Sequence, residues 1–312
     1  MKPMTLDLKV PRGWAYCSTR ELEMIAEEMI RAQMMASLSR FHPFDWVEIK
    51  TRLFFRFAGV EVMDMVEDEY ENNVFICRHP SLGKTEFPLA TWQVHSFLEQ
   101  LKWLDATDAK GRPLPMPKMA WPYPTRLRRW WPLWKREYYA PGELMDGMTW
   151  QTYRWINDWM EAYTNTANAL VAEREKGAKG SGPIAPLVRQ ERDIRQTVLS
   201  LIFGCPKWRI RLARISEVEW QVIMFWWSSM MQYLKEQYPK CFKSSDKKPR
   251  SRSKQQPLPI ELYTRSMATL QKYLGGLTED EINAQTAHAI LRHLNDMAIE
   301  AEEMEKIRKK HK

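Results

Sequence analysis

The residues best suited to chemistry form a segment in which arginine and lysine are interspersed with tryptophan, residues 121–136. Cations of this kind can neutralise nucleic-acid phosphates, and tryptophan rings can stack on bases. The candidate contact residues of the segment are Arg126, Arg128, Arg129, Trp130, Trp131, Trp134, Lys135 and Arg136. The alternative, which we favour, is that the tryptophans pin a long surface connection onto the core while the cations face water.

A second basic segment covers residues 243–256 and contains few apolar residues. This composition is typical of a flexible linker, which could contact a polyanion by charge alone. Its candidate contact residues are Lys247, Lys248, Arg250 and Arg252. The whole chain has a net charge of +8 and a pI of about 9.2, which suits nucleic acid or acidic protein surfaces. A basic protein without a polyanionic partner fits the same charge equally well.

The residue types that usually carry catalysis show no catalytic spacing. His288 and His293 are five positions apart, so they do not share a helix face as zinc ligands would. The four cysteines are scattered without a Cys-x-x-Cys pair, which suggests a reducing compartment. The glycines at 177–182 lack the Lys-Ser/Thr end of a phosphate-binding loop. The sequence therefore predicts no enzyme, no metal site and no cofactor.

The element that must position everything else is the most apolar stretch of the chain, residues 216–239. Ser216 and Glu219 form a capping box at its start, and Pro239 ends it. Residues 222–227 are apolar on every helical face, but the run is too short to span a membrane. The sequence predicts a buried central helix at 216–238 with other helices packed around it.

A small antiparallel sheet is predicted in the N-terminal part, from strands at 4–10, 60–63 and 74–77. Pro88 is predicted to begin a short helix after this sheet. The predicted fold class is therefore mainly α, a helical bundle around the central helix with a small N-terminal antiparallel β-sheet.

Changes in composition divide the chain into five predicted parts. They are an N-terminal α+β part (1–104), a Pro/Trp/Arg-rich connection (105–147), a helical core (148–242), a basic flexible linker (243–257) and a C-terminal helix pair (258–312). The second helix of the pair begins at a capping box, Thr278 to Glu281, and is predicted to continue unbroken through Ile299. Two helices alone bury only one seam, so the pair needs a further surface. We predict that it docks on a partner, either another copy of the chain or a tail component. The alternative is that it folds back onto the N-terminal body of its own chain.

Five short stretches spread over most of the chain carry a resemblance, residues 5–14, 48–59, 148–153, 192–195 and 237–242. They resemble uncharacterised proteins of Bacteroidetes phage and prophage tail modules. These proteins are similar in setting to tail assembly factors encoded near the tape measure. The resemblance implies a context and assigns no site residues.

The expected function is that of a non-enzymatic assembly or structural protein of a phage-like tail, acting by protein–protein contacts like a tail assembly chaperone. The resemblance implies other tail proteins or a second copy as partners, and a bacterial cytoplasmic or virion-associated location. No membrane contact is expected. The high content of tryptophan and methionine, 15 and 19 residues, suits large packed surfaces. The alternative is a nucleic-acid-binding accessory protein that uses a basic, Arg/Trp-rich surface.

Overall fold

The computed structural model describes residues 8–38, 45–67, 73–105, 119–123, 141–176, 184–242 and 259–310. Ten α-helices and one three-stranded antiparallel sheet make up this described part of the chain. The predicted mainly α fold with a small N-terminal sheet is confirmed. By internal contacts the chain divides into two units, residues 1–124 with 215–229 and residues 125–214 with 230–312.

The first unit combines three helices with the sheet. Its elements are α1 (Thr19–Leu38), α2 (Trp46–Phe57), β1 (Glu61–Glu67), β2 (Asn73–Arg78), β3 (Glu86–Ala90) and α3 (Thr91–Leu98). Helix α2 begins where the Asp45 carboxylate accepts the Val47 N–H at 2.8 Å. The indole of Trp14 lies in the core between Trp103 and Phe225, with ring centroids 5.3 and 5.1 Å away.

The sheet has the order β1-β2-β3, and both pairs of strands are antiparallel. Of the predicted strand at 4–10, residues 4–7 lie outside the described residues, and residues 8–10 are not a strand. The third strand is β3 instead, so the prediction that Pro88 begins a helix is wrong. Proline has no N–H for a ladder, but an edge strand such as β3 tolerates it on its unpaired side.

The second unit is helical in its described residues. Its helices are α4 (Trp150–Lys176), α5 (Ile184–Ile202), α6 (Lys207–Ala213), α8 (Pro259–Tyr273), α9 (Glu279–Ala284) and α10 (Ala287–Lys310). The longest of them, α4, buries one stripe that includes Tyr153, Ile156 and Met160. These residues are three and four positions apart, the spacing of one helical face.

The predicted central helix is α7 (Glu217–Gln237), and its burial is confirmed. It begins with the predicted capping box, in which the Glu219 carboxylate accepts the Ser216 N–H at 2.6 Å. Residues 217–229 belong to the first unit, where Val222 and Phe225 enter the core. Residues 230–237 belong to the second unit, where Met230 and Leu234 are buried.

The long helix predicted after Thr278 is broken at Gln285, so this prediction is wrong in one respect. Gln285 has an extended conformation between α9 and α10, and its carbonyl accepts the Trp150 N–H at 2.7 Å. Next to it, Thr149 and Thr286 form an isolated antiparallel bridge. The backbone groups that a continuous helix would use internally are therefore bonded to the segment that precedes α4.

The C-terminal helices pack on their own chain, as the alternative to partner docking expected, and docking on a partner stays a prediction. Ile290 and Leu291 of α10 are buried within the second unit. The Tyr238 hydroxyl lies 3.0 Å from Nδ1 of His288, and the Cys241 thiol donates to the Leu291 carbonyl. Residues 243–257, the predicted linker, lie outside the described residues, and of 105–147 only 105, 119–123 and 141–147 are described.

Candidate binding surface

All of the contact residues proposed from the sequence lie outside the described residues, in 124–140 and 243–258. The start of the segment 121–136 is described, and there the Trp121 side chain packs in the interior. The ring of Trp121 meets the Trp226 ring edge-on in the first unit, with centroids 4.7 Å apart. Trp121 is thus a packing residue, as the alternative interpretation expected for the tryptophans of this segment.

Helix α4 exposes two tryptophans one turn apart. Trp155 and Trp159 are 44% and 36% exposed, although both are large apolar side chains. Each of them directly precedes a residue of the buried stripe, Ile156 or Met160, and so lies beside that stripe. Because four residues make slightly more than one helical turn, Trp155 and Trp159 lie almost one above the other. Both rings therefore lie along one ridge of the helix.

The turn between α5 and α6 brings a third tryptophan to the same unit. Gly204 adopts a left-handed conformation with φ 58°, and the Cys205 N–H donates back to the Ser200 carbonyl at 3.0 Å. This is the glycine-based ending that closes many helices, and it turns the chain sharply into α6. Ile210 is the buried anchor of α6, whereas Trp208 is 52% exposed.

Cations lie over two of these exposed rings. The ammonium of Lys207 is 5.7 Å from the centre of the Trp159 ring, so α6 and α4 meet at this point. The guanidinium of Arg209 lies 4.8 Å from the ring centre of its neighbour, Trp208. We use the name tryptophan surface for the exposed tryptophans of these two helices and the cations over their rings. Its residues are Trp155, Trp159, Lys207, Trp208 and Arg209.

One carboxylate organises the cations of α6. Asp193 of α5 bonds the Lys207 ammonium at 3.1 Å and lies 4.0 Å from the Arg211 guanidinium. Arg211 also donates to the Gln196 side chain at 2.8 Å. Helix α6 carries three cations, Lys207, Arg209 and Arg211, and two of them share the Asp193 carboxylate, so the α6 side of the surface is positive.

The α4 side of the surface is less positive, because Asp158 precedes Trp159. Burial raises the pKa of Asp158 above its ordinary value, an effect that Arg154 opposes and Glu161 strengthens. The charge of the tryptophan surface is therefore graded, from cations on α6 to a carboxylate on α4.

Such an arrangement is suited to recognition. Flat indole faces supply contact area at low entropic cost, and neighbouring cations suit an anionic partner. The thiols of Cys77, Cys205 and Cys241 are poor nucleophiles near neutral pH, because burial raises their pKa to about 11. In the part of the chain that the structure describes, no group of three His, Cys, Asp or Glu side chains could hold a metal ion.

Two histidines, His288 and His79, make hydrogen bonds that stabilise the fold. Nε2 of His288 lies 2.8 Å from the Leu144 carbonyl, and its Nδ1 meets Tyr238. His79 caps a short turn by accepting the Ser81 N–H at 3.2 Å.

Among the helices of the described ranges, none has the length and apolar character needed to cross a bilayer.

Sequence reasoning did not single out the tryptophan surface. The aromatic residues from Trp150 to Tyr163 recur at mixed three- and four-residue spacing, which treats the exposed and buried rings alike. A usable signal was the alternation in residues 207–211, where cations flank each apolar residue.

Comparison of the chain with protein-family models, curated proteins and solved structures gives no match.

Proposed function

We propose that the protein is a non-enzymatic assembly protein of a phage-like tail, which acts through protein–protein contacts in the manner of a chaperone or structural component. The sequence resemblance supports the tail setting. The mode of action is supported by one observation, the exposure of three tryptophans on α4 and α6 of the same unit. Tryptophan is among the residues that most often dominate the binding energy of protein interfaces.

The energetic argument concerns what these rings would gain from a partner. Each indole of the tryptophan surface leaves a third to a half of its area in water. Covering such area is worth about 25 cal/mol per Å². A partner that covers all three rings would therefore gain on the order of several kcal/mol before the cost of association is subtracted.

The charge argument concerns which partner fits. Lys207 and Arg209 lie over the rings, so a partner that covers the rings also meets the cations. A partner surface with carboxylates around an apolar centre would complement both features. We expect an acidic face on a tail protein to bind here.

The test is co-expression with the tail tube protein and the tape-measure protein encoded beside this chain in the phage or prophage. The wild type is expected to co-purify with at least one of them, and the Trp155→Ala/Trp159→Ala/Trp208→Ala variant is expected to lose it. Trp92→Ala is the matched control, because Trp92 is 70% exposed on α3 of the first unit. Retention of neither tail protein by the wild type contradicts the proposal, and so does equal loss with Trp92→Ala.

The second candidate function is nucleic-acid binding, and the position of cations over exposed indoles favours it. Bases can stack on tryptophan while cations beside them bind phosphates. If Lys207, Arg209 and Arg211 each release one counterion, affinity for single-stranded DNA should fall with a log–log salt slope of about −2. Fluorescence anisotropy with labelled oligo-dT between about 50 and 200 mM salt measures it, and undetectable binding at the lowest salt excludes this function.

A further inference from the structure

Strand β1 leaves one edge of the sheet without a neighbour. The sheet order places β1 at the edge, and no other strand of the described residues pairs with its free side. All seven residues, Glu61–Glu67, are exposed to solvent. A free strand edge presents backbone N–H and C=O groups that another extended chain can pair with.

The side chains of β1 are of two kinds, apolar and acidic. Its apolar side chains are all between 40% and 56% exposed, namely Val62, Met63, Met65 and Val66. Apolar area left in water is unfavourable, and an incoming strand would cover part of it. Glu61, Asp64 and Glu67 are spaced along the same strand. The sequence continues with three further acids, Asp68, Glu69 and Glu71.

The acids of β1 argue against a second copy of the strand as the occupant. An antiparallel self-pair centred on Asp64 places this carboxylate opposite itself and Glu61 opposite Glu67. Like charges directly opposite each other destabilise a strand pair. The bulge between Val62 and Asp64 further breaks the register that a symmetric pair needs.

A cationic strand reverses these effects. Within the sheet, Glu61 already lies opposite Arg78, so this edge tolerates a cation across from an acid. The Asp64 carboxylate accepts the Met65 N–H at 2.8 Å, which keeps this backbone donor occupied by a side chain. A lysine or arginine on an incoming strand would draw the carboxylate to itself and release the donor for pairing.

We propose that the free edge of β1 binds an extended segment of a partner protein in which Lys or Arg alternates with apolar residues. Main-chain hydrogen bonds supply the affinity, and the acids select the sequence. This site lies on the first unit and is independent of the tryptophan surface of the second. It therefore goes beyond the proposed function and stands on different observations.

The test uses the full chain and three labelled seven-residue probes of defined chemistry. The first peptide alternates Lys and Val from Lys to Lys, the second is the same Lys/Val peptide with every backbone N–H methylated, and the third alternates Glu and Val. Fluorescence anisotropy reports binding, and hydrogen exchange reports protection of the amides of residues 61–67. The Lys/Val peptide is expected to bind and to protect β1, and the Glu/Val peptide is expected not to bind. The N-methylated peptide keeps the charge but has no backbone donors, so it is expected to bind at least about tenfold more weakly.

Charge variants of the chain provide the second measurement. Asp64→Lys/Glu67→Lys is expected to weaken binding of the Lys/Val peptide about tenfold. Asp64 and Glu67 lie on opposite faces of the strand, so whichever face the lysines of the peptide take, one attractive pair becomes repulsive. Glu61 is left unchanged, since it lies opposite Arg78 within the sheet. The matched control, Glu99→Lys/Glu303→Lys, makes the same change in net charge at exposed acids elsewhere and should bind like the wild type.

Each outcome decides the proposal. Binding of the Lys/Val peptide with protection of β1, sensitivity to Asp64→Lys/Glu67→Lys and insensitivity to the control support it. Equal binding of the N-methylated or the Glu/Val peptide, equal weakening in both variants, or no protection of residues 61–67 would overturn it. Circular dichroism of each variant checks that the helical fold is retained, and the Trp155→Ala/Trp159→Ala/Trp208→Ala variant should bind the peptide normally.

Discussion

The tryptophans of α7 and those of α4 and α6 are the same residue type in two different environments. Trp220, Trp226 and Trp227 are almost completely buried, whereas Trp155 and Trp208 are about half exposed. The buried rings meet other rings, as Trp226 does with Trp121, while the exposed rings of Trp159 and Trp208 meet cations. The difference shows that the tryptophans of the chain fill the core in one region and remain accessible to solvent in another.

The largest expected effect is that of removing a buried ring. Trp226→Ala deletes a side chain that is 2% exposed and packed edge-on against Trp121, and it should lower the free energy of unfolding by about 3–5 kcal/mol. Trp208→Ala, at an exposed position, should change it by less than about 0.5 kcal/mol. Urea denaturation followed by circular dichroism measures both, and equal losses would remove the distinction between the two groups.

The next effect concerns binding instead of stability. Trp155→Ala/Trp159→Ala/Trp208→Ala should weaken binding of the partner at least about a hundredfold, since two such hot-spot residues already account for that factor. The variant should unfold at nearly the wild-type temperature, which differential scanning calorimetry can check. A strongly lowered melting temperature would instead assign these rings to the core.

The sequence could predict the features that depend on neighbouring residues. The capping box of Ser216 and Glu219 and the apolar faces of α7 were sufficient to predict its start and its burial. The sequence could not predict the break at Gln285, because its cause is the pairing of Thr286 with Thr149, far away in the chain. Pro88 was misassigned because proline suits both the first turn of a helix and an edge strand.

The sequence also could not predict that the tryptophans of this surface are exposed, because their exposure depends on packing between helices. Trp155 and Trp159 belong to the same pattern of three- and four-residue spacings as Tyr153 and Met160, and the packing of α5, α9 and α10 against α4 decides which of these side chains is covered. The proposed contact residues in 124–140 and 243–258 lie outside the described residues and stay predictions.

An effect of intermediate size is expected from the thiol of Cys205, which is buried close to the exposed Trp208. Burial raises the pKa of Cys205, which lies in the turn that leads to Trp208, from 9.0 to about 11. The folded state then holds the proton more tightly than the unfolded state, so stability should be retained below about pH 9 and fall as the pH rises to about 11. Alkylation with iodoacetamide at about pH 8, below both pKa values, should be slow in the native protein and fast in urea. Rapid native alkylation of Cys205, mapped by mass spectrometry, would show that the turn is open to solvent.

The smallest expected effect is that of a single cation on the tryptophan surface. Lys207→Ala removes the ammonium beside the Trp159 ring and its bond to Asp193, and such contacts are worth about 0.5–1 kcal/mol at exposed sites. Partner affinity should fall about two- to fivefold, and Lys207→Arg should restore most of it. Isothermal titration calorimetry measures the three proteins. A loss as large as that of the triple tryptophan variant would show that charge, rather than ring contact, supplies most of the affinity.

The hydrogen bond between His288 and the Leu144 carbonyl has a consequence for synthesis of the chain. The two residues are 144 positions apart, so the segment before α4 cannot reach its final hydrogen bonds until α10 has begun to emerge from the ribosome. Leu144 and Met145 both adopt left-handed backbone conformations, with φ of 58° and 66°, which are costly for residues other than glycine. Until His288 arrives, this turn lacks one of the contacts that compensate for its strain. The second unit is therefore expected to complete its folding only after α10 has emerged.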